Sequence, residues 1–159
     1  MPPFLRPRNI FPTYKGMEKN LVALDLGRGS LGISISRSGR FVTPLKNLRF
    51  KNGDFAYALT ELKEILSLEK VSKFILGLPL FPSGDECERT KVVYSFKERL
   101  SKAFPFVPIV LQDERYSTLE ASSLLHEKGE RAKKQHKSID AVASCVILER
   151  YLRSIGQAD

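Results

Sequence analysis

Apolar and polar positions along the chain fall into short, sharply bounded runs. Leu21 to Leu26 (LVALDL) is apolar except for Asp25, too short for a helix and followed by Gly27, which predicts a buried strand. Leu31 to Arg37 (LGISISR) alternates apolar and polar residues, the pattern of a half-buried strand. Ser38-Gly39 reads as a tight turn into a third run, Phe41 to Leu48, so the three form an antiparallel meander. Pro44 marks that third strand as an edge or a bulge, because proline cannot donate to a ladder.

Phe55 to Leu68 then spaces its apolar residues as one face of a helix. Lys73 to Leu78 (KFILGL) predicts a strand stopped by Pro79, and Pro82, Ser83 and Gly84 mark a loop. Val92, Val93, Phe96, Leu100 and Phe104 define a second amphipathic helix, and Val107 to Leu111 a last strand. Two more helices are expected, Ser117 to about Lys128 and Ser138 to about Ser154. A meander followed by strand–helix–strand crossovers implies an α/β fold: a mixed sheet of about five strands with helices on both faces.

Residues 1–19 are rich in proline and aperiodic. They are expected to be a poorly ordered extension preceding one domain at 20–156. No run reaches the ~18 apolar residues that span a bilayer, and Met1 to Gly16 lacks the apolar centre of a secretory signal. A cytoplasmic protein with no membrane partner is expected. Cys87 and Cys145 lie far apart with no paired spacing, which argues against structural zinc and favours two free thiols.

The net charge of +8 changes the picture, since it favours a polyanionic partner. His126 to Lys137 (HEKGERAKKQHK) concentrates it and reads as a basic loop between helices, with Lys133, Lys134 and Lys137 as candidate phosphate contacts. A solvated charged loop is the plainer alternative.

Three acids stand out. Asp25 ends the first strand, Glu114 follows the last, and Asp140 falls in the first turn of the predicted final helix. Sites in open α/β sheets gather beyond the carboxyl ends of strands, so Asp25 and Glu114 can be neighbours. Ala141, Ala143, Ser144 and Cys145 are small enough to let that helix approach the sheet and bring in the third acid. Converging carboxylates would call for a hard divalent cation, magnesium or manganese. Each acid also has another reading. Asp25-x-Gly27 opens nucleotide sites in actin-like ATPases, Asp113-Glu114 precedes a capping box at Ser117 and Glu120, and Asp140 could complement a helix dipole.

Four segments, in order, resemble the YqgF (RuvX-like) family of bacterial nucleases with a ribonuclease H-like fold. They are Ala23 to Ser34 (ALDLGRGSLGIS), Gly77 to Gly84 (GLPLFPSG), Asp113 to Thr118 (DERYST) and Ile139 to Leu152 (IDAVASCVILERYL). The resemblance implies that Asp25, Glu114 and Asp140 hold two magnesium or manganese ions that activate water against a phosphodiester. It also implies phosphate contacts from Arg28, Arg115 and Lys137, although Arg115 and Lys137 could equally be salt-bridge partners of the neighbouring acids. The resemblance implies a structured nucleic-acid substrate, the 5′ end of the 16S ribosomal RNA precursor or alternatively a Holliday junction. A homodimer suits the second reading, and a monomer counts against it. Two departures from the pattern are visible: Gly29 and Ser30 stand where basic residues are usual, and Phe81-Pro82 where a polar Asn is common. They motivate a third reading, a nucleic-acid-binding factor without efficient catalysis. An actin-like phosphotransferase would need a second related domain, for which the chain has no room.

Overall fold

Gly27, Arg28 and Gly29 reverse the chain between the first two strands, and the Gly27 amide donates to the Ser30 carbonyl at 2.8 Å. The computed structural model describes residues 17–115 and 132–159, with backbone alone at 132–140. Its elements are β1 (Leu21–Leu26), β2 (Ser30–Ser36), β3 (Thr43–Arg49), α1 (Phe55–Ile65), β4 (Lys73–Leu78), α2 (Glu88–Ala103), β5 (Ile109–Asp113) and α3 (Ala132–Ser154). The five strands form one sheet in the order β3-β2-β1-β4-β5. β1, β2 and β3 are antiparallel neighbours, while β4 and β5 run parallel to β1. This is the expected mixed sheet. Pro44 lies on the edge strand, and the register slips between Ile33 and Ser34, which pair with Lys46 and Pro44. That slip is the bulge expected of a proline there.

Alternation along β1 divides the core. Val22, Leu24 and Leu26 face α1 and α2, joining Leu59, Leu62, Val93, Phe96 and Leu100. Leu21 and Ala23 face α3, joining Ile147, Leu148, Tyr151 and Leu152. Each fully buried Leu, Ile or Phe contributes roughly 1.5 to 3 kcal/mol relative to exposure. β2 is buried along its whole length rather than on one face. Ser34 and Ser36 pair with Ala23 and Leu21, so they lie under α3, and their small size lets the helix settle on the sheet.

Two helix boundaries correct the sequence reading. α1 closes at Ile65, with the Leu66 amide on the Leu62 carbonyl at 3.0 Å, and Leu68 is 96% exposed instead of core-facing. The chain turns there to enter β4. α3 begins at Ala132, not near Ser138, because Ala132 to Lys137 contains no glycine or proline to stop a helix. The basic segment is therefore helical from 132 onward, and Asp140 stands in the third turn rather than the first. A role for Asp140 in complementing the helix dipole falls with that, since the effect fades within one turn. The extension before Met17, the helix expected at 117–128 and the Ser117 capping box lie outside the described residues.

At the edge of the sheet remote from the strands' carboxyl ends, Glu18 accepts from Tyr151 at 2.7 Å and from Lys73 at 2.9 Å. Gln157 reinforces this clasp by donating to the Glu18 and Gly39 carbonyls and accepting from the Glu18 amide. Burial alone would raise Glu18, but the hydrogen bonds from Lys73 and Tyr151 outweigh it and hold the carboxyl below its usual range.

Candidate active site

β1, β4 and β5 are parallel, so their carboxyl ends share one edge. Asp25 is the penultimate residue of β1, Gly77 the penultimate residue of β4, and Glu114 directly follows β5. The Glu114 amide donates to the Leu78 carbonyl at 3.1 Å, which continues the ladder one residue past the strand and fixes the backbone there. Strands are ~4.8 Å apart, so β1 and β5 are separated by about twice that across β4. The two carboxyl groups nevertheless meet, because position 77 carries no side chain between them. A Cβ on Gly77 would lie 2.6 Å from Glu114 Oε2 and 2.7 Å from Ile147 Cδ1. Glycine therefore makes room at once for the acid and for the helix above it.

The Glu114 carboxyl is pushed up to about 10, first by burial, then by the charge of Asp25 and the hydrogen bond to it. Arg89 acts in the opposite direction. Two acids in hydrogen-bonding contact, one of them buried, cannot both ionise without a cation to offset their repulsion.

Asp113 and Arg115, which flank Glu114, are engaged with each other. Arg115 donates to Asp113 through its amide (2.9 Å) and its Nε (2.7 Å), and through Nη1 to the Pro82 carbonyl (3.0 Å). The hydrogen bond from Arg115 holds the Asp113 carboxyl below its ordinary value. Arg150 donates to the Arg115 carbonyl at 2.9 Å, tying α3 to the same segment. Arg115 thus fastens the β5 exit to the Pro82 loop.

Asp140 lies on the backbone of α3, seven residues ahead of Ile147; its side chain, like those of Lys133, Lys134 and Lys137, is outside the described residues. Among the described residues no three metal-ligating side chains converge, and Asp25 with Glu114 makes two. Arg28 is exposed in the β1–β2 turn.

Gly29 and Ser30 have structural reasons for being small. A Cβ on Gly29 would lie 2.9 Å from the Phe50 carbonyl oxygen, and Ser30 is buried, its hydroxyl 2.7 Å from where a Gly27 Cβ would be. The Arg28 turn is pressed onto the segment after β3, with Gly53 donating to the Arg28 carbonyl at 3.1 Å.

Residues 19–154 match the RuvX family, described as Holliday junction resolvase. The chain belongs to this family. A Rickettsia conorii protein bearing the name of a pre-16S rRNA nuclease is 39% identical over 136 residues, covering 85% of this chain and 86% of its own. A Mesomycoplasma hyopneumoniae protein with the same name is 34% identical over 140 residues, covering 87% and 97%. In fold, the chain is similar to T. thermophilus RuvC, solved with a Holliday junction substrate, at a TM-score of 0.54 and 13% identity, over 88% of this chain and 98% of that one. It is also similar to the yeast mitochondrial resolvase Ydc2, at 0.51 and 16%, over 87% and 80%. The fold is thus that of the RuvC-like, ribonuclease H-like resolvases, and RuvX membership makes the chain a nuclease by family.

Sequence reasoning passed over two residues beside the Asp25–Glu114 pair. Gly77 was visible as part of GLPL, but its role as the gap between two acids depends on strand order. Arg89 sits in an unremarked helix turn, yet its Nη2 donates to the Leu26 carbonyl beside Asp25 and its charge reaches Glu114.

Proposed function

We propose that this chain is a divalent-metal-dependent phosphodiesterase that processes the 5′ end of the 16S ribosomal RNA precursor, with Asp25, Glu114 and Asp140 as its metal-holding acids. The observation that carries the reading is the meeting of the Asp25 and Glu114 carboxyls across Gly77. Their oxygens suit a hard cation, magnesium or manganese, and the pair's repulsion supplies the charge that such an ion would neutralise. When bound, the metal would supply an activated water and stabilise the leaving oxygen.

The chain's own residues hold the acids in place. Gly77 and Ile147 fix the position of the Glu114 carboxyl, and the Leu78 carbonyl fixes its backbone. Tyr151 lies against Lys73 at the start of β4 and Ile147 against Gly77 near its end, so α3 runs counter to β4. Continuing in that direction, position 140 comes two helical turns, ~10 Å, further toward the carboxyl ends of the strands. That direction brings Asp140 to the same end of the sheet as Asp25 and Glu114, which is what the proposal needs of it. Lys133, Lys134 and Lys137 stand still further along the same helix, and with Arg28 they are proposed to contact the polyanion's phosphates.

The test is cleavage of a labelled 16S precursor fragment and a four-way DNA junction with magnesium, manganese or chelator. Metal-dependent cutting of the RNA, reduced at least 100-fold in Asp25→Asn and Asp140→Asn, is expected. The family's description favours a second reading, a resolvase, and symmetric cutting of the junction instead of the RNA would establish it. Binding of both substrates without cutting would leave a binding factor.

A further inference from the structure

A cavity of about 400 Å³ opens at the carboxyl end of β1, on the face of the sheet opposite Asp25. Asp25 faces α3 and the next residue, Leu26, faces α1 and α2, so one step along β1 passes from the acids to the cavity wall. Leu26, Phe55 and Val93 make its apolar floor, and Val92, 44% exposed, stands on its rim. Arg28 enters from the β1–β2 turn, and Arg89 from the first turn of α2. Glu88 and Asn52 complete the polar side. Arg89 belongs to both places: it lines the cavity, donates to the Leu26 carbonyl and acts on Glu114.

We propose that this cavity binds one unpaired nucleotide of the strand that the acid pair cuts, a claim that rests on the nuclease reading above. The volume falls in the range of small-ligand sites. Its division into an apolar wall with an aromatic edge and two guanidinium groups matches the two halves of a nucleotide. Bases pack on aromatic and apolar side chains or on guanidinium planes, while arginine pairs with phosphate. The Glu88 carboxylate offers an acceptor to an exocyclic amine, which favours adenine, cytosine and guanine over uracil. A paired base cannot enter without leaving its stack, so the site selects substrates in which the cut borders an unpaired residue. The floor is held rigid by edge-on packing of Phe55 against Phe50 and Phe96, with ring centroids 6.2 and 5.5 Å apart. The site is therefore built before ligand arrives.

The experiment is an amide-shift titration of the full chain in chelator with the four ribonucleoside 5′-monophosphates, with inorganic phosphate as the control. Shifts confined to residues 26–28, 52–55 and 88–93 are expected, at millimolar half-saturation and at least tenfold weaker with phosphate alone. Val92→Trp fills the mouth from an exposed position and should abolish them, and the exposed Arg28→Ala should weaken them at least fivefold. Nucleotides that leave these residues unshifted, or that bind Val92→Trp as they bind the wild type, overturn the proposal.

Cleavage separates the two readings. With magnesium, an abasic residue beside the cut should raise KM at least tenfold in the wild type and leave Val92→Trp unchanged. If RNA is cut and neither change alters KM, the nuclease reading stands and the pocket falls. If nucleotides bind as described but no nucleic acid is cut, the pocket stands as a nucleotide site and the nuclease reading falls.

Discussion

The Glu114 carboxyl hydrogen-bonds that of Asp25 across a strand that lies between them, through the space where Gly77 has no side chain. Burial and the neighbouring charge favour the protonated form of Glu114 in the folded, metal-free protein, up to about pH 10, whereas the unfolded chain loses that proton near 4.5. The folded state thus binds more protons between those values. The stabilisation is complete below about pH 4.5 and is lost as pH rises toward 10. Metal-free protein should melt at steadily lower temperature from pH 6 to 9, and Glu114→Gln should flatten that slope. Calorimetric scans in chelator would check it; a wild-type profile that is flat or rises would contradict it.

Metal binding must displace the shared proton, so magnesium or manganese should bind more tightly as pH increases. The rise in melting temperature on adding either ion is expected to be larger at pH 8.5 than at pH 6, and to vanish in Asp25→Asn. Thermal shifts across a pH series at fixed metal concentration read this directly.

Gly77→Ala should fold but less stably, by about 1 to 3 kcal/mol, the usual cost of an added methyl group in a filled site. The methyl group meets the Glu114 carboxyl and Ile147 together, so the acid must move. Cleavage is expected to fall at least tenfold, beyond any effect of unfolding. Urea denaturation alongside single-turnover cleavage separates the two effects.

Tyr151→Phe removes the hydroxyl that joins Glu18 at 2.7 Å and Lys73 at 3.0 Å. A cost of about 1 kcal/mol is expected, or roughly 3 °C in Tm, with cleavage unaffected at temperatures where the protein is folded. Loss of activity without loss of stability would mean the clasp reaches the site.

Neutralising Lys133, Lys134 and Lys137 together should weaken nucleic-acid binding most at low salt. The slope of log affinity against log salt should shrink by roughly 2 to 3 if each lysine meets a phosphate. Filter binding between 50 and 300 mM salt would measure it.

The strands were legible because LVALDL and KFILGL are short and stopped by Gly27 and Pro79, and because LGISIS alternates ahead of the Ser38-Gly39 turn; the bulge was legible because Pro44 cannot serve a central ladder. The start of α3 was not legible. A run of lysine, glutamine and histidine has no apolar period, so its helicity comes from absent breakers and from the packed half that follows. The nearness of Asp25 and Glu114 could be guessed from strand ends. That Gly77 separates them depends on β4 lying between β1 and β5, a fact of topology that pattern alone does not encode. Arg89 shows the same limit: an arginine in a helix's first turn looks like ordinary solvent contact until the strand beneath it is known.

α3 touches every strand of the sheet and sets Ile147 over the acid pair. Asp25 and Glu114 are translated well before that helix, so a chain still emerging from the ribosome carries both acids without their roof. Assembly of the proposed metal centre waits for α3, the last element of the fold. A copy that stops short of α3 therefore carries the two acids without Ile147 above Gly77 and without Asp140.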